Sequence, residues 1–371
     1  MNQKFYKFLG VAAAASFAVT SLAACGSDNA TGEKADGNDK TSQQSESVSG
    51  SLKGAGASSQ ESAMTTWTQT FMENNPDAQI TYGAVGSGAG IEQFIGKQVA
   101  WAGSDAYLEG DEVKKAKDRC GADAFDLPTY ISPVAVVFNI KGVKKLNLDP
   151  DVVAKIFKGE IKNWNDPAIA KANPDAKLPD LAITPVHRSD KSGTTENFTS
   201  YLHEAAGDVW TDEADKTWPI AGGETGDKTS GLIQAVQSTE GTIGYADFSK
   251  AGDDLGIASL KSGDGYTAPS QETAAKAADI AEPAKDRADG DLALDVVRVP
   301  KEEGAYPLIM ISYEIVCSKY EKEEGDLVKA FMEYVSSEEG QKAAAESAGS
   351  APISDEMRQK VQKSLDKIKI G

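Results

Sequence analysis

Apolar residues along this chain recur in two alternating rhythms. Residues 51–57 are strand-like and run into Gly54-Ala55-Gly56-Ala57-Ser58-Ser59, after which Ala63, Met64, Trp67 and Phe71 return at helical spacing. A helix is therefore predicted from near Ser59 to the stop at Asn74-Asn75-Pro76-Asp77. Residues 79–82 read as a second strand, and Gly86-Ser87-Gly88-Ala89-Gly90 opens a helix carrying Ile91, Phe94, Ile95 and Val99 on one face. Trp101-Ala102-Gly103-Ser104-Asp105-Ala106 follows as a short strand whose end presents an acid.

The alternation continues downstream. Residues 127–140 form an almost continuous apolar run, predicting a central strand, and Asp149-Pro150 starts a helix through Val152, Val153, Ile156 and Phe157 that stops at Gly159. Trp164-Asn165-Asp166-Pro167 is a turn, and residues 182–186 form the strand that delivers Arg188. A glycine-rich loop over 220–231 precedes a helical segment at 232–236, and 241–245 returns to strand. Residues 250–301 offer a surface helix around 272–280 and no evident chemistry; 306–316 is a second long β-like run, and Ser336-Ser337-Glu338-Glu339 reads as a capping box. The expectation is an α/β fold with ligands at the carboxyl ends of strands beside helix N-termini. If both long strands cross between lobes, residues 50–130 and 309–371 form one lobe and 131–308 the other, around a hinged cleft.

The first 49 residues stand outside this pattern. Lys4 and Lys7 precede an apolar run over 8–19, and Leu22-Ala23-Ala24-Cys25 places a cysteine after small residues. Residues 1–24 thus read as a secretory signal ending in a lipobox, resembling bacterial lipoproteins in which Cys25 becomes the lipidated first residue. Residues 25–49 carry almost no large apolar side chains and read as a flexible stalk. Cys120 and Cys317 remain as an even pair, expected either as a disulfide in an exported protein or as two separate buried thiols. A net charge of -19 argues against a nucleic-acid partner, and two histidines argue against a multi-histidine metal site. Any anion must be held by local, well-aimed donors.

Such donors are present at Arg188-Ser189-Asp190-Lys191-Ser192-Gly193-Thr194-Thr195, where a guanidinium is followed by small hydroxyls and a glycine at a predicted helix start. Taken alone this reads first as an ordinary N-cap. Ser58-Ser59 and Ser87-Gly88 supply two more helix starts of the same kind, and an oxyanion wants many short hydrogen bonds from closely approaching donors. Enzyme signatures are missing: the chain has no Walker A sequence, no full dinucleotide fingerprint and no Gly-x-Ser-x-Gly elbow. His187 is a conceivable base for Ser192, but a lone histidine ending a strand reads first as structural.

Five segments in order, Gly54-Ala55-Gly56-Ala57-Ser58, Gly86-Ser87-Gly88-Ala89-Gly90-Ile91, Ala102-Gly103-Ser104-Asp105-Ala106, the run from Ile156 through Trp164 to Pro167, and Arg188 to Thr195, resemble signature segments of the PstS-type phosphate-binding proteins that serve ABC importers. The resemblance implies a two-lobed periplasmic-binding-protein-like fold closing on inorganic phosphate. Position by position it makes Ser58 a hydroxyl ligand, Ser59 a backbone N–H donor, Ser87 the ligand of the second turn and Asp105 the acceptor of the phosphate proton. Arg188 becomes the guanidinium ligand, Asp190 the carboxylate that orients it, and Ser192, Gly193 and Thr194 the donors at the third helix start. Two positions depart from the pattern: Ser59 stands where a bulky aromatic is frequent, and Lys191 where glycine is common.

The resulting expectation is a receptor, not an enzyme, with no cofactor or metal, anchored at the outer face of the cytoplasmic membrane. It is expected to be monomeric and to pass phosphate to membrane permease subunits of an ABC importer. Two rivals are an exported phosphatase using Ser192 or Ser58 as nucleophile, and a phosphate scavenger, sensor or adhesin unconnected with transport.

Overall fold

The computed structural model describes residues 48–371. The signal, Cys25 and most of the stalk lie outside the described residues.

The first third alternates as expected. Strand β1 (Gly50–Gly56) leads to helix α1 (Glu61–Asn74), β2 (Ala78–Gly83) to α2 (Ser87–Ile95), and β3 (Trp101–Ser104) to α3 (Asp111–Cys120). α1 starts two residues later than its periodicity predicts, because Ser58 and Ser59 are spent on the turn before it. α2 stops at Ile95, so Val99 is buried beyond the helix instead of on its face.

The middle of the chain begins with β4 (Ala124–Phe138), β5 (Lys145–Leu148), α4 (Pro150–Phe157), the short α5 (Pro167–Ala172) and β6 (Thr184–Arg188). The Asp149 side chain does not cap α4; it accepts a hydrogen bond from the Tyr266 hydroxyl at 2.9 Å. Asp166 caps α5 instead, through the Ala168 N–H. α6 (Gly193–Ala205), β7 (Glu224–Gly226), α7 (Lys228–Ser238) and β8 (Thr242–Asp247) follow. α7 starts four residues before the predicted segment, and Gly231, read as loop, lies inside it.

Residues 250–301 hold more structure than composition indicated: β9 (Gly256–Ser262), β10 (Gly265–Thr267), α8 (Gln271–Asp279), β11 (Glu282–Pro283) and β12 (Leu294–Asp295). The chain ends with β13 (Ile309–Cys317), β14 (Lys319–Tyr320), α9 (Lys322–Ser336), α10 (Glu338–Ala348), α11 (Asp355–Leu365) and β15 (Lys369–Ile370). Ser337 caps α10 by accepting from the Gly340 N–H, while the full reciprocal capping box is found at Ser270 and Thr273 of α8. Among the described residues no helix is long and apolar enough to cross a membrane.

The main sheet runs β2-β1-β3-β13-β4-β8-β6-β7, with β9, β5 and β10 branching from β4. β1 pairs in parallel with both β2 and β3, and β6 in parallel with both β7 and β8. Two antiparallel strands join these groups. β4 pairs with β13 from Ala124 to Pro133 and with β8 from Val134 to Phe138. The β4–β13 ladder carries a bulge between Ser312 and Tyr313, opposite Tyr130 and Pro128, which leaves Thr129 as the extra residue. Cys120 at the end of α3 and Cys317 at the end of β13 are joined in a disulfide.

Large side chains fill the sheet–helix layers. Trp67, Phe71, Trp101 and Phe331 pack beside β1 and β3, with Phe71 and Phe331 meeting edge to face at 5.3 Å. Phe157, Phe198, Trp218 and Tyr245 stack around β8, where the Phe198 and Tyr245 ring centres lie 4.2 Å apart. Each such ring, once buried, contributes on the order of 2–3 kcal/mol.

α2 sits directly on β1 because Gly90 has no side chain: a Cβ there would stand 2.4 Å from Gly56 Cα and 2.6 Å from Ala55 O. α3 is tied to α6 differently, through Lys216 in the connection after α6. Its ammonium reaches Glu112 at 3.1 Å and Glu196 at 3.3 Å. Burial raises the Glu196 carboxyl, and neighbouring Glu109 and Glu112 add to that; Lys216 opposes them without cancelling, leaving it at about 7 instead of 4.5.

Two outcomes follow from this packing. Gly90→Ala is expected to cost roughly 1–3 kcal/mol through backbone overlap, read as a lower urea midpoint; an unchanged midpoint would mean that α2 is not seated on β1 as described. For Glu196, the unfolded carboxyl ionises first as pH rises, so its contribution to stability is full below about pH 4.5 and is lost by about pH 7. Glu196→Gln should remove that slope, on the order of 2 kcal/mol between pH 5 and 8, and equal slopes in the two proteins would contradict the assignment.

Candidate functional site

Parallel strand–helix units place each helix N-terminus near the carboxyl end of the preceding strand, so loops after parallel strands gather donors at one edge of the sheet. Here β1 is followed by Ser58 and Ser59, β2 by Ser87, β3 by Asp105, and β7 by Thr229 in the first turn of α7. Arg188 is the last residue of β6, and Ser192 begins the first turn of α6. Side chains from all these loops meet.

Asp105 lies at the centre and is 3 % exposed. The Ser59 hydroxyl donates to both of its carboxylate oxygens, at 2.6 Å to Oδ1 and 2.8 Å to Oδ2. Thr194 Oγ1 donates to Oδ2 at 2.7 Å, and Ser312 Oγ donates to Oδ1 at 2.8 Å. Ser87 Oγ accepts the Asp105 backbone N–H at 3.3 Å. The Asp105 carboxyl oxygens thus meet three hydroxyls from three distant parts of the chain, which compensates the loss of water around a buried polar group.

Arg188, at the end of β6, is also 3 % exposed. Its guanidinium is locked by Asp190 in a two-point pair, Nε to Oδ1 at 2.7 Å and Nη2 to Oδ2 at 2.5 Å. Nη2 also reaches Ser58 Oγ at 3.4 Å. Ser58 Oγ in turn accepts the Thr229 N–H at 3.1 Å and shares a 2.9 Å hydrogen bond with Thr229 Oγ1. The Lys228 N–H, presented by a backbone φ of 59°, donates to Asp190 Oδ1 at 3.0 Å. Burial pushes the Asp190 carboxyl up, but the hydrogen bonds and charge of Arg188, with the Lys228 N–H, outweigh it and leave the group below its ordinary value.

The α6 start combines capping with close approach. Ser192 Oγ accepts the Thr195 N–H at 3.2 Å, so the capping reading of this turn is correct for Ser192. Gly193 is pressed against the opposite loop: a Cβ there would lie 2.8 Å from Ser87 Oγ and 2.9 Å from Asp105 Cβ. Thr195 Oγ1 and Tyr245 Oη share a 2.8 Å hydrogen bond, and Tyr245 Oη also accepts the Arg188 N–H at 3.3 Å. Phenol and backbone together fix where β6 ends.

Both departures from the PstS pattern are accounted for. Ser59 uses its side chain on Asp105. Lys191 does not adopt a positive φ, so the turn has no need of glycine there; its ammonium points out to Glu92 of α2 at 2.7 Å, with both groups exposed. His187 is structural, its ring nitrogens meeting the carbonyls of Arg188 and Gly222 at 3.0 Å while the ring stacks on Trp218 at 4.9 Å.

Ser58, Ser59, Ser87, Asp105, Arg188, Asp190, Ser192, Gly193 and Thr194 are all brought to one place. Sequence reasoning missed Thr229, Ser312, Asn197 and Tyr245. Two of these left a trace. Thr229 follows Gly226-Asp227-Lys228, the same small-residue helix start seen three times elsewhere, and Ser312 and Glu314 are polar at a spacing of two inside an apolar strand.

The PBP superfamily domain model matches residues 41–339. Phosphate-binding protein PstS 3 of Mycobacterium tuberculosis is 37% identical over 374 residues, covering 98% of this chain and 99% of the relative. Among solved structures, a high-affinity periplasmic phosphate-binding protein bound with phosphate has a TM-score of 0.67 at 20% identity, covering 84% of this chain and 93% of its own. A phosphate-binding protein from Stenotrophomonas maltophilia has a TM-score of 0.64 at 20% identity, covering 85% and 94%. These likenesses give the fold as the two-lobed α/β architecture of periplasmic binding proteins. With near full-length identity to PstS 3 added to that fold, the chain belongs to the PstS-type phosphate-binding proteins.

Proposed function

We propose that this protein is an extracytoplasmic, lipid-anchored receptor that binds inorganic phosphate in an interlobe cleft and hands it to the permease of an ABC importer, without covalent chemistry on the ligand. The observation that carries the reading is a buried carboxylate, Asp105, met by Ser59, Ser87 and Thr194, and a buried guanidinium, Arg188, that reaches Ser58, the residue next to Ser59 in the same turn. The residue roles implied by the family fit that arrangement. Arg188, held flat by Asp190, meets the anion's charge; the hydroxyls and the N-terminal N–H groups of α1, α2 and α6 share the rest. Asp105 accepts the hydrogen bond of a proton that phosphate carries near neutral pH and sulfate lacks, so one anion is welcomed and the other repelled. The Ser59 hydroxyl, shared between both Asp105 oxygens, is the donor best placed to turn toward the ligand.

Residues 50–130 with 309–371 form the first lobe and 131–308 the second, closing by a hinge along β4 and β13, whose pairing partners change along their length. The protein acts as a monomer tethered through Cys25. A hydrolytic role is disfavoured by the side chains themselves: Ser192 Oγ is spent on capping and His187 is turned to backbone carbonyls.

Calorimetric titration tests the ligand and the residue roles together. Arg188→Ala is expected to weaken phosphate binding by about 2–5 kcal/mol, and Asp105→Asn to erode the preference for phosphate over sulfate; unchanged affinity in the first, or an unchanged ratio in the second, would remove that residue from its role. Cys25→Ser should move the protein from the membrane fraction to the soluble extracytoplasmic fraction, and continued membrane retention would refute the lipid anchor.

A further inference from the structure

The segment leading into β13, silent in the sequence, brings a buried arginine beneath the site. Arg298 is 5 % exposed and directs its guanidinium to three neutral acceptors: Nη2 to Asn197 Oδ1, Nη1 to Ile309 O at 2.7 Å and Nε to Ser200 Oγ at 3.4 Å. Asn197 lies one turn into α6 and is itself buried. Its Nδ2 donates to Asp105 O at 2.6 Å and to Gly193 O at 2.9 Å.

The chemistry of these groups makes the arrangement directional. A guanidinium only donates, so the Asn197 amide must turn its oxygen to Arg298 and its nitrogen away from it. That nitrogen then holds two carbonyls at once, one from the loop after β3 and one from the first turn of α6. The same two segments carry the Asp105 carboxylate and the Thr194 hydroxyl, which meet at 2.7 Å. Arg298 and the two carbonyls therefore orient the amide from opposite ends; without Arg298 the buried amide oxygen loses its donor and the side chain is held by its nitrogen alone. Burial lowers Arg298 to about 10, which leaves it charged at neutral pH.

We propose that Arg298 and Asn197 are positioning residues for anion binding: Arg298 orients the Asn197 amide, and the amide sets the spacing between Asp105 and the α6 N-terminus across which the ligand is held. The inference rests on the phosphate-receptor reading above.

The test is titration of the full chain with inorganic phosphate and sulfate, alongside urea unfolding, for wild type, Asn197→Ala, Arg298→Met and the double variant. Each single change should weaken phosphate binding about tenfold, and the double variant should be no weaker than Asn197→Ala alone, because both act through one amide. Arg298→Lys, which retains a cationic donor for Asn197 Oδ1, should stay within about threefold of wild type. Folded single variants with wild-type affinity, or a double variant whose loss equals the product of the two singles, would overturn the proposal. If Arg298→Met does not fold, Arg298→Lys decides: a loss of about tenfold there overturns it equally. A wild-type protein that binds no phosphate would defeat the receptor reading and this inference together, whereas phosphate binding with indifferent variants defeats this inference alone.

Discussion

Everything at the site hangs on satisfying and immobilising one carboxyl group in a place almost closed to water. A buried carboxyl is tolerable only if hydrogen-bond partners replace its lost hydration, and no single loop of this chain can supply enough of them. Asp105 draws its donors from the turn after β1, from the first turn of α6 and from the middle of β13. That requirement brings together residues 59, 194 and 312, so it constrains the path of the chain as much as the chemistry of the site. The bulge at Thr129 of β4 is part of the same solution, since it falls opposite Ser312 of β13, where a local change of register helps aim a side chain.

Charge at the site is organised by dipoles and short contacts, not by the field of the molecule. The protein is strongly acidic, so a free anion meets no long-range attraction on approach. The compensation is local: the N-termini of α1, α2, α6 and α7 all begin in loops that face the same space, and one guanidinium is held at a fixed angle by Asp190. Glycine at position 193 matters here because the opposing loops come closer than any side chain would allow.

What the sequence disclosed and what it withheld divide along a physical line. Helix starts, parallel strands and the residues of the hydroxyl-bearing turns were legible because local backbone rules write them in consecutive residues: Ser87 after Gly86, Ser192-Gly193-Thr194 after Arg188. The partners of those residues were not legible, because they come from far along the chain. Ser312 is 207 residues from Asp105 and Thr229 is 171 from Ser58. Residues 250–301 looked empty for a related reason. Their short strands are stabilised by pairing with β4, β5 and one another, and Arg298 acquires meaning only beside Asn197. Periodicity also misplaced the start of α7, where Thr229 turns to Ser58 and Lys228 offers its backbone N–H to Asp190 instead of continuing an apolar stripe.

The Cys120–Cys317 bond has a topological consequence. It joins residues 197 apart in sequence, so the portion of the chain that includes Arg188, Asp190, Thr194 and Arg298 is a closed covalent ring, and the segments bearing Ser58, Ser87 and Asp105 at one end and α9 to α11 at the other are tails leaving it. A protease that nicks any exposed loop within the ring opens it without releasing a fragment. A single cut there would leave every donor of the site still attached to one molecule.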